Sequence, residues 1–177
     1  DGNSYASYNA AIKSDGTLWT WGCNGCGVLG IELYGGKYSS PVQVAGGFTD
    51  WCDVSITRGN AAGVRSNGTL WSWGDNGNYA LGIGCASTQD RSSPTQVAGT
   101  SWCKISAGYN HALALKTTGT LWTWGQNQTY GQLGVNNLTN YSSPIQVGAG
   151  TNWSSIACGG YHTIALKTDG TLWTWGF

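Results

Sequence analysis

Charge is what this chain has least of. Eight basic and eight acidic side chains make up 9% of its 177 residues, with no net excess of either sign. Charge this sparse and balanced builds no basic stripe for a phosphate backbone and no cluster for an anionic membrane surface. Neither nucleic acid nor membrane insertion is therefore expected, and no apolar run approaches the ~18 residues that a membrane-spanning helix needs. The acids (Asp1, Asp15, Glu32, Asp50, Asp53, Asp75, Asp90, Asp169) form no pair of the kind that hydrolyses glycosides, and Asp15 and Asp169 are turn residues. No Gly-x-Ser-x-Gly elbow, phosphate-binding loop or His-Glu-x-x-His zinc helix occurs. These gaps argue against catalysis and against any cofactor or metal. Methionine is absent, and the chain opens with no charged-then-apolar leader, which reads as a processed chain or a fragment. Scarce charge can mark disorder, but disordered chains lack the 11 Trp and 9 Tyr found here.

What is present in excess is glycine and a repeated tryptophan phrase. Gly16-Thr17-Leu18-Trp19-Thr20-Trp21-Gly22 returns with small changes ending at Gly74, Gly125 and Gly176. Its first tryptophan falls at Trp19, Trp71, Trp122 and Trp173, in steps of 52, 51 and 51 residues. A fixed period of this size marks a repeat architecture, in which each unit packs on its neighbours. Before each phrase stands a β-rich run, and Asp-Gly or Asn-Gly between the two predicts a hairpin closed by a two-residue turn. Thr118 is poorly suited to the positive φ such a turn demands. Within the Trp strand, Thr171, Trp173 and Trp175 point to one face and Leu172 and Thr174 to the other, so both faces are expected to be covered. Hairpins are expected at about 5–22, 57–74, 108–125 and 159–176, joined by connections 23–56, 75–107 and 126–158, as a single array over 1–177. Each connection ends in Ser-Ser-Pro-x-Gln-Val (Ser39–Val44, Ser92–Val97, Ser142–Val147), with the proline expected at the first residue of a strand.

The phrases Gly-x-x-His, Ala-Leu-Lys, Gly-Thr-Leu-Trp-Thr-Trp-Gly, Gly-Gln-Leu-Gly and Pro-x-Gln-Val together resemble the regulator of chromosome condensation repeat family, including its bacterial-type β-propellers. The resemblance runs over nearly the whole chain. It implies an all-β fold: propeller blades of four antiparallel strands, here about three and a half repeats of 51–52 residues. That is an incomplete ring unless other chains or further sequence complete it. Tyr8 and Asn60 stand where His111 and His162 do. The histidine is expected to hydrogen-bond within its own blade. Plant ultraviolet-B receptors share this fold family, but the tryptophan they carry after the Gly of Gly-x-x-His is here Tyr109 or Gly160. A photoreceptor reading fails on that ground. The repeated tryptophans are expected to be core between blades.

Two residue types point to a compartment. Cys23-x-x-Cys26 has no second Cys-x-x-Cys to complete a zinc site, so a disulfide is the simpler reading of that pair. Cys52 and Cys103 recur 51 residues apart, and a bridge between them needs Cα atoms within ~7 Å, which adjacent blades reach only near the axis. Asn67, Asn127, Asn137, Asn140 and Asn152 each begin a glycosylation sequon. With six cysteines in all, these features favour an extracellular or cell-surface setting. The leading expectation is thus a non-catalytic extracellular structural or adhesive module that self-associates head to tail through its terminal hairpins, as a ring or fibre. The alternative is a propeller that binds one protein through the loops Ile31–Tyr38, Ile83–Arg91 and Val135–Tyr141, which differ most between repeats. A third reading is an intracellular guanine-nucleotide exchange factor, whose acidic loops are absent here.

Overall fold

A computed structural model describes residues 7–84 and 88–177. Cys85 and the first residues of the expected 5–22 hairpin lie outside them. The described chain forms four antiparallel sheets. The first holds β1 (Tyr8–Ile12), β2 (Leu18–Cys23) and β3 (Lys37–Gln43). The second holds β4 (Trp51–Ile56), β5 (Asn60–Arg65), β6 (Leu70–Gly74) and β7 (Arg91–Val97). The third repeats it with β8 (Trp102–Ala107), β9 (His111–Lys116), β10 (Leu121–Gly125) and β11 (Tyr141–Gln146). The fourth holds β12 (Trp153–Cys158), β13 (His162–Lys167) and β14 (Leu172–Gly176). Strands follow one another in sheet order within every blade. β4, β8 and β12 approach one another along one edge, so they line the axis of an open, propeller-like ring.

The hairpin turns differ from the two-residue form expected. Gly16 N donates to Lys13 O at 2.9 Å and Lys13 N to Thr17 O at 2.9 Å, which encloses three residues. Arg65–Thr69, Lys116–Thr120 and Lys167–Thr171 repeat the pattern. In such a turn only the last residue is left-handed. Gly16 and its equivalent Gly119 take φ of 76° and 75°, and the preceding residue does not need a positive φ. That is why Thr118 is tolerated. The turn is also pinned from outside, because Gly16 O, Gly68 O and Gly119 O accept the N–H of Trp51, Trp102 and Trp153 of the next blade.

The two tryptophans of each Trp-x-Trp do different things. The first stays in its own hairpin: Trp71 Nε1 donates to Thr69 Oγ1 at 3.0 Å, and Thr69 Oγ1 donates to Asn67 Oδ1 at 2.7 Å. The second reaches into the preceding blade. Trp73 Nε1 donates to Val28 O, Trp124 Nε1 to Ala80 O and Trp175 Nε1 to Gln132 O, at 2.9, 3.0 and 2.9 Å. A glycine faces each ring, for a Cβ on Gly30, Gly82 or Gly134 would lie 2.7, 2.5 or 2.6 Å from the indole. Trp73 and Trp124 are fully buried, and each contributes roughly 2–3 kcal/mol by transfer from water. Nearer the axis, Ser55 and Ser106 hydroxyls cap the N–H groups of Ala107 and Cys158, and Asp53 Oδ2 caps that of Ile105.

The prolines are not at strand starts. Pro41, Pro94 and Pro144 lie inside the outermost strands, beside a register shift opposite Trp21, Trp73 and Trp124. An edge bulge spares the missing donor.

Substituting Gly82 with alanine drives a methyl into the Trp124 ring and is expected to cost about 2–4 kcal/mol. Gly25→Ala, where nothing lies within 4 Å, should leave stability within about 0.5 kcal/mol. Urea unfolding of the two variants checks the difference.

Candidate functional site

Within a blade, the loops after the first and third strands emerge at one end, and the pinned hairpin turns occupy the other. The first end carries 57–59, 108–110 and 159–161 together with the three variable connections. Each connection is hung on a buried asparagine. Asn24 Oδ1 accepts from Leu29 N at 3.0 Å, Asn76 Oδ1 from Leu81 N at 3.2 Å and Asn127 Oδ1 from Leu133 N at 3.0 Å. Neighbouring connections touch, with Tyr34 Oη donating to Asp90 O at 3.1 Å. The result is a rigid frame that carries irregular loops.

On this face a cleft of ≈370 Å³ is lined by Tyr8, Cys26, Arg58, Gly59, Asp75, Tyr109, Asn110 and Tyr161, drawn from all four blades. Aromatic rings run on from it. Tyr109 meets Tyr161 edge-on at 5.4 Å, Tyr161 meets Tyr130 at 5.5 Å, and Tyr130 meets Phe177 at 4.8 Å. All four rings are exposed, Phe177 by 80%. Arg58 is exposed too, and among the described residues it makes no ion pair. Burial pushes the Tyr8 phenol up, and the Arg58 charge only partly opposes this. Burial, then the carboxylates of Asp90 and Asp75, push the Cys26 thiol up as well. Both groups are therefore uncharged at neutral pH, and the cleft offers stacking surface, hydroxyls, the Arg58 cation and the Asp75 carboxylate rather than an activated thiolate. Among the described residues no group of three His, Cys, Asp or Glu side chains is disposed to hold a metal ion.

The residues singled out in the sequence are dispersed. Cys23, Cys26, Cys52, Cys103 and Cys158 are free thiols, so neither expected bridge is present. The recurrence of Cys52 and Cys103 has another cause. Each sits at a bulge and donates its S–H to a carbonyl of the next strand, Val64 O and Leu115 O, both at 3.4 Å. Ser154, a further 51 residues on, does the same with its hydroxyl to Leu166 O at 3.1 Å. The spacing records a bulge, not a bond. Among the sequons, Asn127 is buried, and its Nδ2 donates to Asn137 O at 2.6 Å, so it is no glycan acceptor. Asn140 is half-buried and accepts from Asn127 N and Gln128 N, and Asn152 is half-buried. Asn67 and Asn137 are exposed, yet Asn67 Oδ1 organises its turn and Asn137 Nδ2 donates to Tyr141 Oη at 3.0 Å.

His111 does not bond within its own blade. Its Nε2 lies 3.2 Å from Thr163 Oγ1 of the next blade, and Thr163 donates to Gln132 O at 2.9 Å. That assignment makes Nε2–H the donor. Asn60, one repeat earlier, spans the equivalent interface between the second and third blades by donating to Tyr109 O at 2.8 Å.

Residues 67–115 and 118–166 match the regulator of chromosome condensation (RCC1) repeat, and 102–132 match a second description of it. The chain belongs to the RCC1 repeat family. It is 30% identical over 178 residues to the Arabidopsis thaliana "RCC1 domain-containing protein RUG3, mitochondrial", and the match takes in 96% of this chain and 40% of that protein. Among solved structures, human WBSCR16 superposes with a TM-score of 0.82 at 24% identity, over 96% of this chain and 45% of that one. Yeast RCC1 (Prp20) bound to Kap60 gives 0.80 at 24%, over 97% and 42%. The chain thus spans less than half the length of the relatives it matches, as about three and a half RCC1 repeats in an open ring. These findings overturn the expectation of an extracellular structural or adhesive module. The family is one of RCC1-type proteins, one relative is mitochondrial by name, and Cys52, Cys103 and Asn127, which suggested secretion, have structural roles instead.

Two measurements test these assignments. Thiol titration of the unfolded chain without reductant should find at least the five free cysteines. Burial, and then His162, hold the His111 imidazole down to about 4 from an ordinary 6.5. The unfolded chain takes up this proton near pH 6.5 and the folded chain only near 4. Stability is therefore full above pH 6.5 and falls by about 3 kcal/mol as pH drops toward 4. His111→Asn, which copies Asn60, should flatten that fall in urea titrations.

Proposed function

We propose that these RCC1 repeats form a non-catalytic protein-binding module, and that the partner seats on the face carrying the variable connections. The observation behind this reading is the exposed run Tyr109, Tyr161, Tyr130 and Phe177 beside the exposed Arg58. Tyrosine and arginine are the side chains most often found as binding hot spots, because each combines a large contact surface with a polar tip. Rings that already pack on one another lose little freedom when a partner covers them. Sparse charge elsewhere leaves shape and stacking to set specificity. The complex of yeast RCC1 with Kap60 supports the reading at the level of the fold: a propeller of this kind has a protein partner in that case. At 24% identity the partner itself does not transfer.

The test compares proteins recovered with the native chain and with a Tyr109→Ala, Tyr161→Ala, Arg58→Ala variant. A partner bound through this face should lose at least thirtyfold in affinity by calorimetry, since one hot-spot truncation costs about 2 kcal/mol. Far-ultraviolet dichroism should not change. A partner that ignores this variant but is lost when the hairpin-turn face is altered at Asn67 and Thr118 would overturn the assignment.

A further inference from the structure

A basic residue stands immediately before every hairpin turn: Lys13, Arg65, Lys116 and Lys167. Each lies over an aromatic ring, a placement that leaves its N–H groups able to bond. In three blades a carboxylate stands beside the cation. Lys13 Nζ lies 3.3 Å from Asp15 Oδ2, and Arg65 Nε donates to Asp50 Oδ1 at 2.6 Å. The charge of Lys167 reaches Asp169.

These carboxylates come from two places in the repeat. Asp15 and Asp169 are middle residues of the turn, where blade three has Thr118. Asp50 precedes the tryptophan that opens β4, where blade three has Ser101. The backbone confirms that correspondence, for Asp50 O accepts from Ser66 N and Ser101 O from Thr117 N, both at 2.8 Å. Blade three thus offers Lys116 a carboxylate from neither place. Among the described residues Lys116 makes no ion pair.

Beside Lys116 is a second donor that lacks an acceptor. The ammonium lies 4.6 Å from the Trp102 ring and 4.5 Å from the Trp122 ring, and the two rings meet edge-on at 6.0 Å. Trp102 is 2% exposed, and its Nε1–H finds no acceptor among the described residues. A buried N–H left unbonded is costly. Both nitrogens converge on Gly99, where a Cβ would lie 3.4 Å from Lys116 Nζ and 3.5 Å from Trp102 Nε1. Gly99 is exposed, as are Ala98 and Thr100, so the spot opens to solvent. In blade two the corresponding space is filled. Phe48 packs against Trp51 and Trp71 at 5.7 and 5.1 Å, with Arg65 over its ring at 3.9 Å. The run from Val97 to Trp102 is two residues shorter than that from Val44 to Trp51, and it holds no aromatic. Blades two and four flank the spot, and β7 and β11 cover the outer edges of blades two and three, so it is interior to the array.

We propose that Lys116 Nζ and Trp102 Nε1 bind the carboxylate of an aspartate or glutamate side chain on a partner polypeptide. One carboxylate oxygen accepts from the ammonium and the other from the indole N–H, and the charge answers the unpaired cation. The flexible Lys116 stem lets the ammonium move outward as the carboxylate enters. Asp50 on Arg65 is the same pairing made within the chain, one blade earlier. The carrier is a polypeptide because a single ion pair near solvent holds a free anion weakly, whereas a chain adds contacts along Ala98, Gly99 and Thr100. The site lies at the hairpin-turn end, away from the loop-face cleft, and neither reading depends on the other.

The probe is acetyl-Phe-Thr-Asp-amide, the sequence of Phe48–Asp50, titrated into the isotope-labelled chain at fixed ionic strength. In nitrogen–proton spectra the Trp102 side-chain N–H signal should move downfield and saturate. The same peptide with asparagine in place of aspartate should leave it unmoved. Lys116→Met should weaken binding about tenfold, and Lys116→Arg should retain it. Ser101→Asp supplies the carboxylate within the chain, so it should shift the Trp102 signal by itself and abolish peptide binding. Sodium acetate should bind more weakly than the peptide. An unmoved Trp102 signal, equal shifts from the asparagine peptide, or unchanged binding by Lys116→Met overturns the proposal. Acetate binding as tightly as the peptide also overturns it, by giving the site to a small anion. If Lys116→Met loses its folded dichroism, Ser101→Asp decides, and full peptide binding by that variant overturns the proposal.

Discussion

The indole N–H that crosses from one blade to the carbonyl of the blade before it is the contact on which the array depends. It requires a carbonyl turned outward, a ring laid flat on the chain that presents it, and no side chain between them. Gly30, Gly82 and Gly134 meet the last condition, so the Gly-x-Leu-Gly phrase of one repeat is explained by the tryptophan of the next. No blade is complete by itself. Stability in such an array is a sum of neighbour terms, and the polar caps along β4, β8 and β12 set the same register nearer the axis.

The periodicity was legible in the sequence because every repeat must satisfy the same neighbour, and that demand repeats residue types at fixed intervals. The blade architecture followed from it. Atom-level partners did not follow. Asp-Gly between β-rich runs is compatible with turns of two or three residues, and only the position of the left-handed residue separates them, as Thr118 shows. Asn127-Gln128-Thr129 spells a glycosylation site, yet Asn127 is the third of three buried asparagines that hang the connections. The 51-residue spacing of Cys52 and Cys103 suits a bridge and a bulge alike, and the hydroxyl of Ser154, bonded in the same way, separates the two.

The proposed binding face was the least legible part. Tyr109 and Tyr161 occupy different places within Gly-x-x-His, Tyr130 sits in a connection, and Phe177 follows the last strand. No period links them, so only the folded chain brings the rings together. The available signal was weaker: bulky aromatics at positions the repeat leaves free, in a chain that otherwise spends its aromatics on fixed ones.

One end of the stack is closed to change. The turns at Gly16, Gly68 and Gly119 each receive a backbone N–H from the following blade, so a residue inserted in any of the three would unseat the neighbour as well as the hairpin. The opposite end is tied across blades too, by Asn60 to Tyr109 O and Tyr34 to Asp90 O, yet its connections already differ from repeat to repeat. The molecule is therefore polar in its tolerance of mutation: new sequences can be tried on one surface while the other keeps the blades in line, an arrangement suited to a scaffold that exchanges partners without renegotiating its fold.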